Sequence, residues 1–499
     1  MSIVNLQPRR PDAQESGLGL LEDRIREELA YINYPPKNWV PETVHPVHGK
    51  VSDVVIVGAG MCGLAAAFAM RQIGLLNFRM LDGKARGTEG PWIDYARMET
   101  LRSEKTLIGP SLRMASLTFR AWYTAQHGVA GWEALGRIPR PLWMDYLTWY
   151  RTVLDLPVEN GVRLTRIEPF EGVLKLHVEG AAQPFILTRK LVLATGRNGL
   201  GGVRTPDVVA GLPRHLWAHS VDPVDFTRLA GKRVVVVGAS ASAMDNAATA
   251  LENGASEARI LARRPKMLGI NKMRAVGVDG FTYGYPALSP EWQWKIKRYT
   301  ESYRSPAPRP SVLRVSRHPN AYFHFSFHIE RIEDHGDTAV VVAKDGRRIA
   351  ADLVITATGF DVDVTRQAEI ADFAEHIALW RDRLPPAIGD EDEELERYPF
   401  LGPSFEFLEK TPGAAPFLKD IHCFNHGATM SLGRVSSDIP QVSDGAIWLA
   451  HQLASTLFVS DVERHWQAIL AYEDKELYGD EYRDADAADD LQGSIGAST

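Results

Sequence analysis

Two stretches of this chain spell out the same local device, and together they constrain its fold more than anything else in the sequence. Asp53 to Met70 reads DVVIVGAGMCGLAAAFAM, and Gly231 to Pro265 reads GKRVVVVGASASAMDNAATALENGASEARILARRP. Each runs a short β-branched strand into a turn of small residues and then into an alanine-rich helix, which is one strand, loop and helix of a parallel α/β unit. Such a strand demands parallel neighbours, because its crossover helix covers only one face of a sheet that others must extend. Each unit is answered further along by a strand that ends in the same turn, RKLVLATGRNG (Arg189 to Gly199) and ADLVITATGFDVD (Ala351 to Asp363). The expectation is an α/β fold with two Rossmann-like dinucleotide-binding domains, the second inserted into the first.

The letters of the two turns differ where nucleotide choice is made. In the first, Gly58, Gly60 and Gly63 stand at GxGxxG spacing, with Ala59 and Cys62 between them. The first glycine makes the tight turn, the second lets backbone amides approach a pyrophosphate at the helix N-terminus, and the third lets helix and strand pack closely. Asp82 follows about twenty residues after the loop, at the end of the next strand, where a carboxylate accepts from a ribose diol. The second turn reads Gly238, Ser240, Ala243 in the corresponding places, with Ser242 between, so small size is kept and hydroxyls for phosphate oxygens are added. Its next strand ends in Arg263 and Arg264 rather than an acid. A carboxylate there would repel a 2′-phosphate and a guanidinium pairs with it, so the first loop is assigned to FAD and the second to NADPH. The two ATG turns, with Thr195 and Gly196 and with Thr358 and Gly359, complete the candidate cofactor contacts.

At 499 residues the chain is too long for one core of ordinary size. Residues 1–50 read as an N-terminal extension with a helix over Gly19 to Ile32, draped over another surface because Tyr34 and Trp39 are costly to leave bare. Residues 51–205 read as the first part of the FAD domain, 206–350 as the NADPH domain, 351–475 as the second part of the FAD domain, and 476–499 as a disordered acidic tail. Lys266 to Val340 is expected to be an exposed excursion. A net charge of −7 leaves no electrostatic footprint for nucleic acid, and no apolar run long enough to span a bilayer or signal peptide is visible, so neither nucleic acid nor membrane is expected and the chain is placed in the cytoplasm. With two cysteines far apart and no CxxC there is no dithiol for a flavin disulfide reductase, and no metal-ligand spacing occurs.

From Asp53 to about Leu453 the ordered set GAGMCGL, EGPW (Glu89 to Trp92), the two ATG turns and HSVDPVDFTRLAGKRVVVVGASASAMDNA resembles the class B flavoprotein monooxygenases, which include flavin-containing, N-hydroxylating and Baeyer-Villiger enzymes. The resemblance implies hydride delivery from NADPH to FAD, then oxygen insertion through a flavin hydroperoxide, with O2 and a small molecule as the partners. It places Trp92, Arg102 and Lys105 among flavin- and pocket-facing residues, His219 as a hinge residue or a locally bonded connector histidine, and Ser437 and Asp438 near the flavin ring or on an ordinary capped helix. Nitrogen or sulfur is the expected oxygen acceptor. The Baeyer-Villiger fingerprint survives only at His219, against Pro213, His215, Pro223 and Thr227, so ketone oxygenation is the alternative. Arg102 and Ser103 stand where many flavin-containing monooxygenases have Asn, which keeps an uncoupled NADPH oxidase or reductase as a further alternative. The aromatic band Trp122 to Trp149 could line an apolar or ring-binding pocket, although aromatic-rich helices are more often core, and Arg102, Lys105 and Arg113 could instead hold a carboxylate. A homo-oligomer, with the N-terminal extension wrapping a second subunit, is left open.

Overall fold

A computed structural model describes residues 17–384 and 391–482. The first glycine-loop strand, Ser52–Val57, lies inside a seven-stranded sheet between the parallel strands Phe78–Asp82 and Phe185–Leu193. Val57 sits opposite both Leu81 and Leu193, so all three strands end at the same level and their C-terminal turns share one edge. Val158–Asn160 extends the parallel side, Val173–Glu179 and Arg163–Phe170 form an antiparallel flank, and the late strand Ile421–His422 pairs with Leu191 and Val192. Buried on both faces, Val54, Val55 and Ile56 are the continuous apolar run expected of a parallel strand. The helix Met61–Gln72 that follows buries Met61 through Met70 without a break, which explains its alanine-rich sequence: nothing larger would let it approach the sheet.

The second sheet is wholly parallel, in the order Trp217–His219, Leu353–Thr356, Arg233–Val237, Glu257–Leu261, Ala321–His324. Leu353–Thr356 therefore belongs to the inserted domain, and the expected return to the first domain at 351 comes later, after the second ATG turn. The excursion expected over 266–340 is also built differently. It holds helices Pro290–Tyr303 and Arg309–Ser316, the edge strand Ala321–His324, and strands Ile329–Asp334 and Ala339–Ala343, which pair with each other in a small antiparallel sheet that Arg348–Ala351 completes on the far side of Ala339–Ala343. Arg309–Ser316 packs on the glycine-loop helix Ala241–Glu252, with Val315 fully buried there.

The N-terminal extension packs on its own chain. Helix Leu18–Tyr31 buries Ile25 and Leu29, Glu28 accepts from Ser116 Oγ at 2.7 Å, and Trp149 Nε1 donates to Glu22 at 3.0 Å. Trp39 Nε1 donates to Ile73 O at 2.8 Å, and Tyr34 meets the Phe68 ring edge-on. The aromatic band is core rather than pocket wall: Trp143, Tyr146 and Tyr150 are among the largest fully buried side chains, with Trp143 and Tyr146 centroids 5.0 Å apart. A separate compact unit begins at Ser455 and carries helix Val462–Leu470. Residues 476–482 of the expected tail form neither helix nor strand, and 483–499 lie outside the described residues. Among the described residues no helix is long and apolar enough to cross a membrane.

Candidate active site

Each glycine loop is clamped against the ATG turn of its own sheet. Gly58, at φ 103°, lies so close to Ala194 that a Cβ would fall 2.4 Å from that carbonyl oxygen; Gly238, at φ 126°, would place one 2.7 Å from Ala357 O. A backbone oxygen cannot swing aside, so glycine is required at both for conformation and for space. Gly63 is tighter still, a Cβ falling 1.8 Å from Gly58 O, while Ala243 holds the third position of the second loop. Both ATG turns use glycine at positive φ, 80° at Gly196 and 87° at Gly359. The paired motifs are thus one structural unit used twice.

At the first loop, helix Met61–Gln72 begins at Gly60, which offers no side-chain cap, and a Cβ on Gly60 would meet only Gly90 Cα at 3.9 Å. Open space over uncapped helix amides fits a pyrophosphate. Asp82 stands at the strand end as expected, but its carboxylate already accepts from Ala59 N at 2.8 Å and Lys84 N at 2.9 Å, so it shapes the loop as well as leaving lone pairs for a ribose diol. The EGPW segment is tied down by Glu89, buried and paired with Arg151 at 3.1 Å, while Asn160 donates to the same carboxylate at 2.8 Å. Trp92 leans edge-on against Trp143. These features fit FAD.

A late segment closes over this loop. Asn425 donates to Leu193 O at 3.2 Å and Thr195 Oγ1 at 3.1 Å, and accepts from Gly427 N at 2.8 Å. Cys62 Sγ donates to Ser436 O at 3.3 Å; burial, and then the nearby Asp438 carboxylate, push its thiol up to about 12. Cys423 is buried with a raised pKa as well, so neither thiol is a nucleophile near neutral pH. Ser437 is half-buried beside them, and Asp438, paired with Arg434, precedes the short turn Ile439–Gln441 without capping it. The helix Val442–Ser460 follows.

At the second loop, helix Ala241–Glu252 starts from exposed Ser240, whose hydroxyl does not cap it, again leaving open amides. Ser242 Oγ is likewise uncommitted among the described residues. Arg263 and Arg264 are exposed just past strand Glu257–Leu261 and line a cavity of about 290 Å³, with Arg264 Nη2 on Ser302 O at 3.3 Å. Uncapped amides at one end and two guanidiniums at the next strand's end fit an NADPH-type nucleotide. Thr358 Oγ1 donates to Arg204 O and Gly359 O accepts from Arg204 N at 2.9 Å, so this ATG turn is braced rather than open.

The three candidate catalytic residues each have partners within the chain. Lys105 Nζ donates to Trp132 O at 2.6 Å and to Leu135 O, and lies 4.7 Å from the Trp132 ring. It closes the C-terminal end of helix Phe119–Ala134, where carbonyls lack partners and the macrodipole favours a cation. Arg102 pairs with Asp245 at 3.3 Å, on the second loop's helix, and Ser311 Oγ holds the other oxygen of that buried carboxylate at 2.9 Å. His219 is buried at the end of its strand, and its Nδ1 accepts from Val221 N at 3.4 Å. Burial pulls its pKa down, against the opposing influence of Asp222 and of the Gly359 backbone. Arg113 is spent on Asp444 at 2.8 Å and Tyr283 Oη at 2.7 Å.

A different group gathers where the first ATG turn meets the late segment. Arg197, next after Gly196, is exposed and makes no hydrogen bond or ion pair among the described residues. His426 N donates to Gly196 O at 3.3 Å, its Nε2 lies 3.4 Å from Tyr398 Oη, and its buried Nδ1 has no partner among the described residues. Burial, and then the charges of Arg197, Lys297 and Arg434, hold the imidazole neutral with a pKa well below its ordinary value. Lys297 is buried, 3.1 Å from Glu301 and 3.5 Å from Thr429 Oγ1. Sequence reasoning passed over these residues because they are isolated letters in three separate segments; only the arginine directly after ATG carried a local signal.

Two uncapped dinucleotide loops, each clamped to an ATG turn, with a third segment closing over the first, define a two-nucleotide flavoprotein oxidoreductase. Residues 55–272 match a family model described as pyridine nucleotide-disulphide oxidoreductase. The chain is 36% identical over 465 residues to the FAD-dependent urate hydroxylase of Xanthomonas campestris pv. campestris, covering 93% of this chain and 98% of that one. Its fold is similar to ornithine hydroxylase (PvdA) from Pseudomonas aeruginosa, with TM-score 0.64 and 16% identity over 82% of this chain and all of that one. It is likewise similar to L-lysine 6-monooxygenase from Pseudomonas syringae, with TM-score 0.61 and 19% identity over 82% and 99% of the two chains. The chain belongs to the family of that FAD-dependent urate hydroxylase, and it shares its fold with the ornithine and lysine hydroxylating enzymes.

Proposed function

We propose that this protein is an NADPH-dependent FAD monooxygenase that hydroxylates a small anionic nitrogen heterocycle of the urate class. The balance is substrate + O2 + NADPH + H⁺ giving hydroxylated substrate + H2O + NADP⁺, one oxygen atom going to each product. FAD, when bound, supplies the redox centre between NADPH and O2. The chain's own part is to bind and orient. The open amides beyond Gly58 and Gly60 take the FAD pyrophosphate and Asp82 the ribose. Those beyond Gly238 and Ser240 take the second pyrophosphate, and Arg263 and Arg264 the 2′-phosphate.

The observation that carries the substrate reading is the charge around His426. Arg197, Lys297 and Arg434 all act on it; Lys297 is paired with Glu301 at 3.1 Å and Arg434 with Asp438, which leaves Arg197 as the one of the three with no ion pair among the described residues. The unpaired Arg197 guanidinium suits an anion, and together with the 36%-identical relative named as a urate hydroxylase it favours that substrate class over amine hydroxylation. A neutral His426 Nδ1 adds one directional hydrogen bond to a ring N–H or carbonyl, depending on tautomer.

The test is anaerobic reduction by NADPH, then turnover with urate, L-lysine and a neutral heterocycle, measuring NADPH, O2, substrate and peroxide together. Equal consumption of NADPH, O2 and urate with little peroxide is expected. Stoichiometric peroxide with all three compounds would leave an uncoupled oxidase instead.

A further inference from the structure

The cavity beside Arg263 and Arg264 contains more than the two arginines expected of it. Its wall also holds Arg304, Glu301, Asp392 and Glu394, so it mixes three guanidiniums with three carboxylates. Taken alone that mixture would not attract an anion. Every acid, however, already has a partner. Glu301 pairs with Lys297 at 3.1 Å, and Asp392 Oδ1 accepts from Glu394 N at 3.1 Å and Leu395 N at 3.2 Å. Glu394 is held from behind by Arg204 at 2.8 Å. On its cavity side Glu394 meets Arg304, Oε2 to Nη2 at 2.8 Å and Oε1 to Nη1 at 3.4 Å, a fork-to-fork pair of the kind a phosphate also makes. Burial would raise the Glu394 carboxyl, yet Arg304 and Arg204 hold it below the usual carboxylate range, so it is a full anion at neutral pH.

Arg304 is also held in a costly conformation. It ends helix Pro290–Tyr303 at φ 50°, ψ 156°, a region that a side-chain-bearing residue rarely adopts. Strain of this kind persists where surrounding structure needs the side chain in one direction. Here that direction is the cavity that Arg263 and Arg264 line.

We propose that Arg304 is the third guanidinium of the 2′-phosphate site, and that Glu394 is an internal competitor that occupies it until NADPH arrives. This rests on the assignment of NADPH to the second loop. The phosphate takes Arg304 from Glu394, and Glu394 keeps its pair with Arg204, whose main chain braces Thr358 and Gly359 of the second ATG turn. No buried charge is left unpaired in either state, which is why the exchange is feasible. The competitor costs affinity for every nucleotide that lacks a 2′-phosphate nothing, and so acts on NADPH alone.

The experiment compares dissociation constants for NADPH and NADH, from anaerobic titration of the flavin-loaded protein, across Arg304→Ala, Glu394→Gln, the double variant, and Arg263→Ala with Arg264→Ala. Arg304→Ala should weaken NADPH by about tenfold, equivalent to about 1.4 kcal/mol, and leave NADH nearly as it was. Glu394→Gln should tighten NADPH and lose that effect once Arg304 is alanine. If the Arg263 and Arg264 variants discriminate between nucleotides while Arg304→Ala does not, or if Glu394→Gln weakens NADPH, the exchange is wrong and the phosphate site stands. If Arg263 and Arg264 weaken both nucleotides equally, the assignment beneath it fails first.

Discussion

Replacing Gly58 by alanine and, separately, Gly238 by alanine asks whether the two loops hold different nucleotides. The added Cβ would lie 2.4 Å from Ala194 O in the first case and 2.7 Å from Ala357 O in the second, against carbonyls fixed in their own turns. Both sites also have φ beyond 100°, where a Cβ is disfavoured. Overpacking costs about 1–3 kcal/mol and the left-handed backbone about 1–2 kcal/mol, so about 2–5 kcal/mol must be relieved. The cheapest relief moves the loop off its ATG turn, which spoils the amide cradle without unfolding the sheet. At about 3 kcal/mol the loss of nucleotide affinity is roughly a hundredfold. Gly58→Ala should be purified largely colourless, read as flavin absorbance per protein. Gly238→Ala should keep its flavin and show the loss only as a raised dissociation constant for NADPH in anaerobic titration. Flavin lost from Gly238→Ala and kept by Gly58→Ala would reverse the assignment, and equal effects in both variants would refute the argument that each loop has its own ligand.

Lys105→Met should leave kcat/KM for substrate as it is and lower stability by about 1 kcal/mol in urea unfolding, because the ammonium serves helix carbonyls rather than the reaction; a large fall in kcat with unchanged stability would restore it to the pocket. His422 is fully buried with Nδ1 donating to Ser404 O at 2.7 Å, and burial with Lys190 nearby lowers its pKa to about 3. Its folded pKa lies below the unfolded value, so the unfolded chain binds the extra proton; stability is whole above about pH 6.5 and falls as pH drops toward 3, by about 2 kcal/mol at pH 5. Urea unfolding at pH 7.5 and pH 5 should show this loss shrink in His422→Asn, and an undiminished loss would assign it to other groups.

The glycine loops and ATG turns were legible because each is a run of local letters whose spacing has one mechanical use. Arg263 and Arg264 were legible as the counterpart of Asp82. What failed were inferences from composition. The aromatic band could be read as a pocket wall or as core, and the structure makes it core, with Tyr146 packed at a tilt against both Trp143 and Tyr150; aromatic richness alone cannot tell the two apart. The segment from Lys266 to Val340 looked like a loop because of its Pro and Arg content. In fact it supplies an edge strand, a helix packed on the second loop's helix, and Lys297. Pairing partners more than sixty residues away decided that, and no local pattern records them. His426 and Arg197 were passed over for the same reason. They become a pair only through the hydrogen bond from His426 N to Gly196 O, which joins the late segment to the first ATG turn.

Arg102 shows how the two nucleotide sites are held to one another. It leaves the flavin segment to reach Asp245, a carboxylate almost wholly buried in the first turns of the second loop's helix. A carboxylate in that position must be satisfied or it destabilises the helix that carries the loop, and Ser311 supplies only one further hydrogen bond. The pair therefore ties the segment that carries Arg102 to the helix of the second loop, and, where the two loops hold FAD and NADPH as proposed, it fixes their spacing. Hydride transfer depends steeply on that spacing, since a misplacement of about 1 Å can cost a hundredfold in rate. Arg102 thus ties the segment that carries it to the helix of the second loop, while His426 ties the late segment to Gly196 of the first ATG turn.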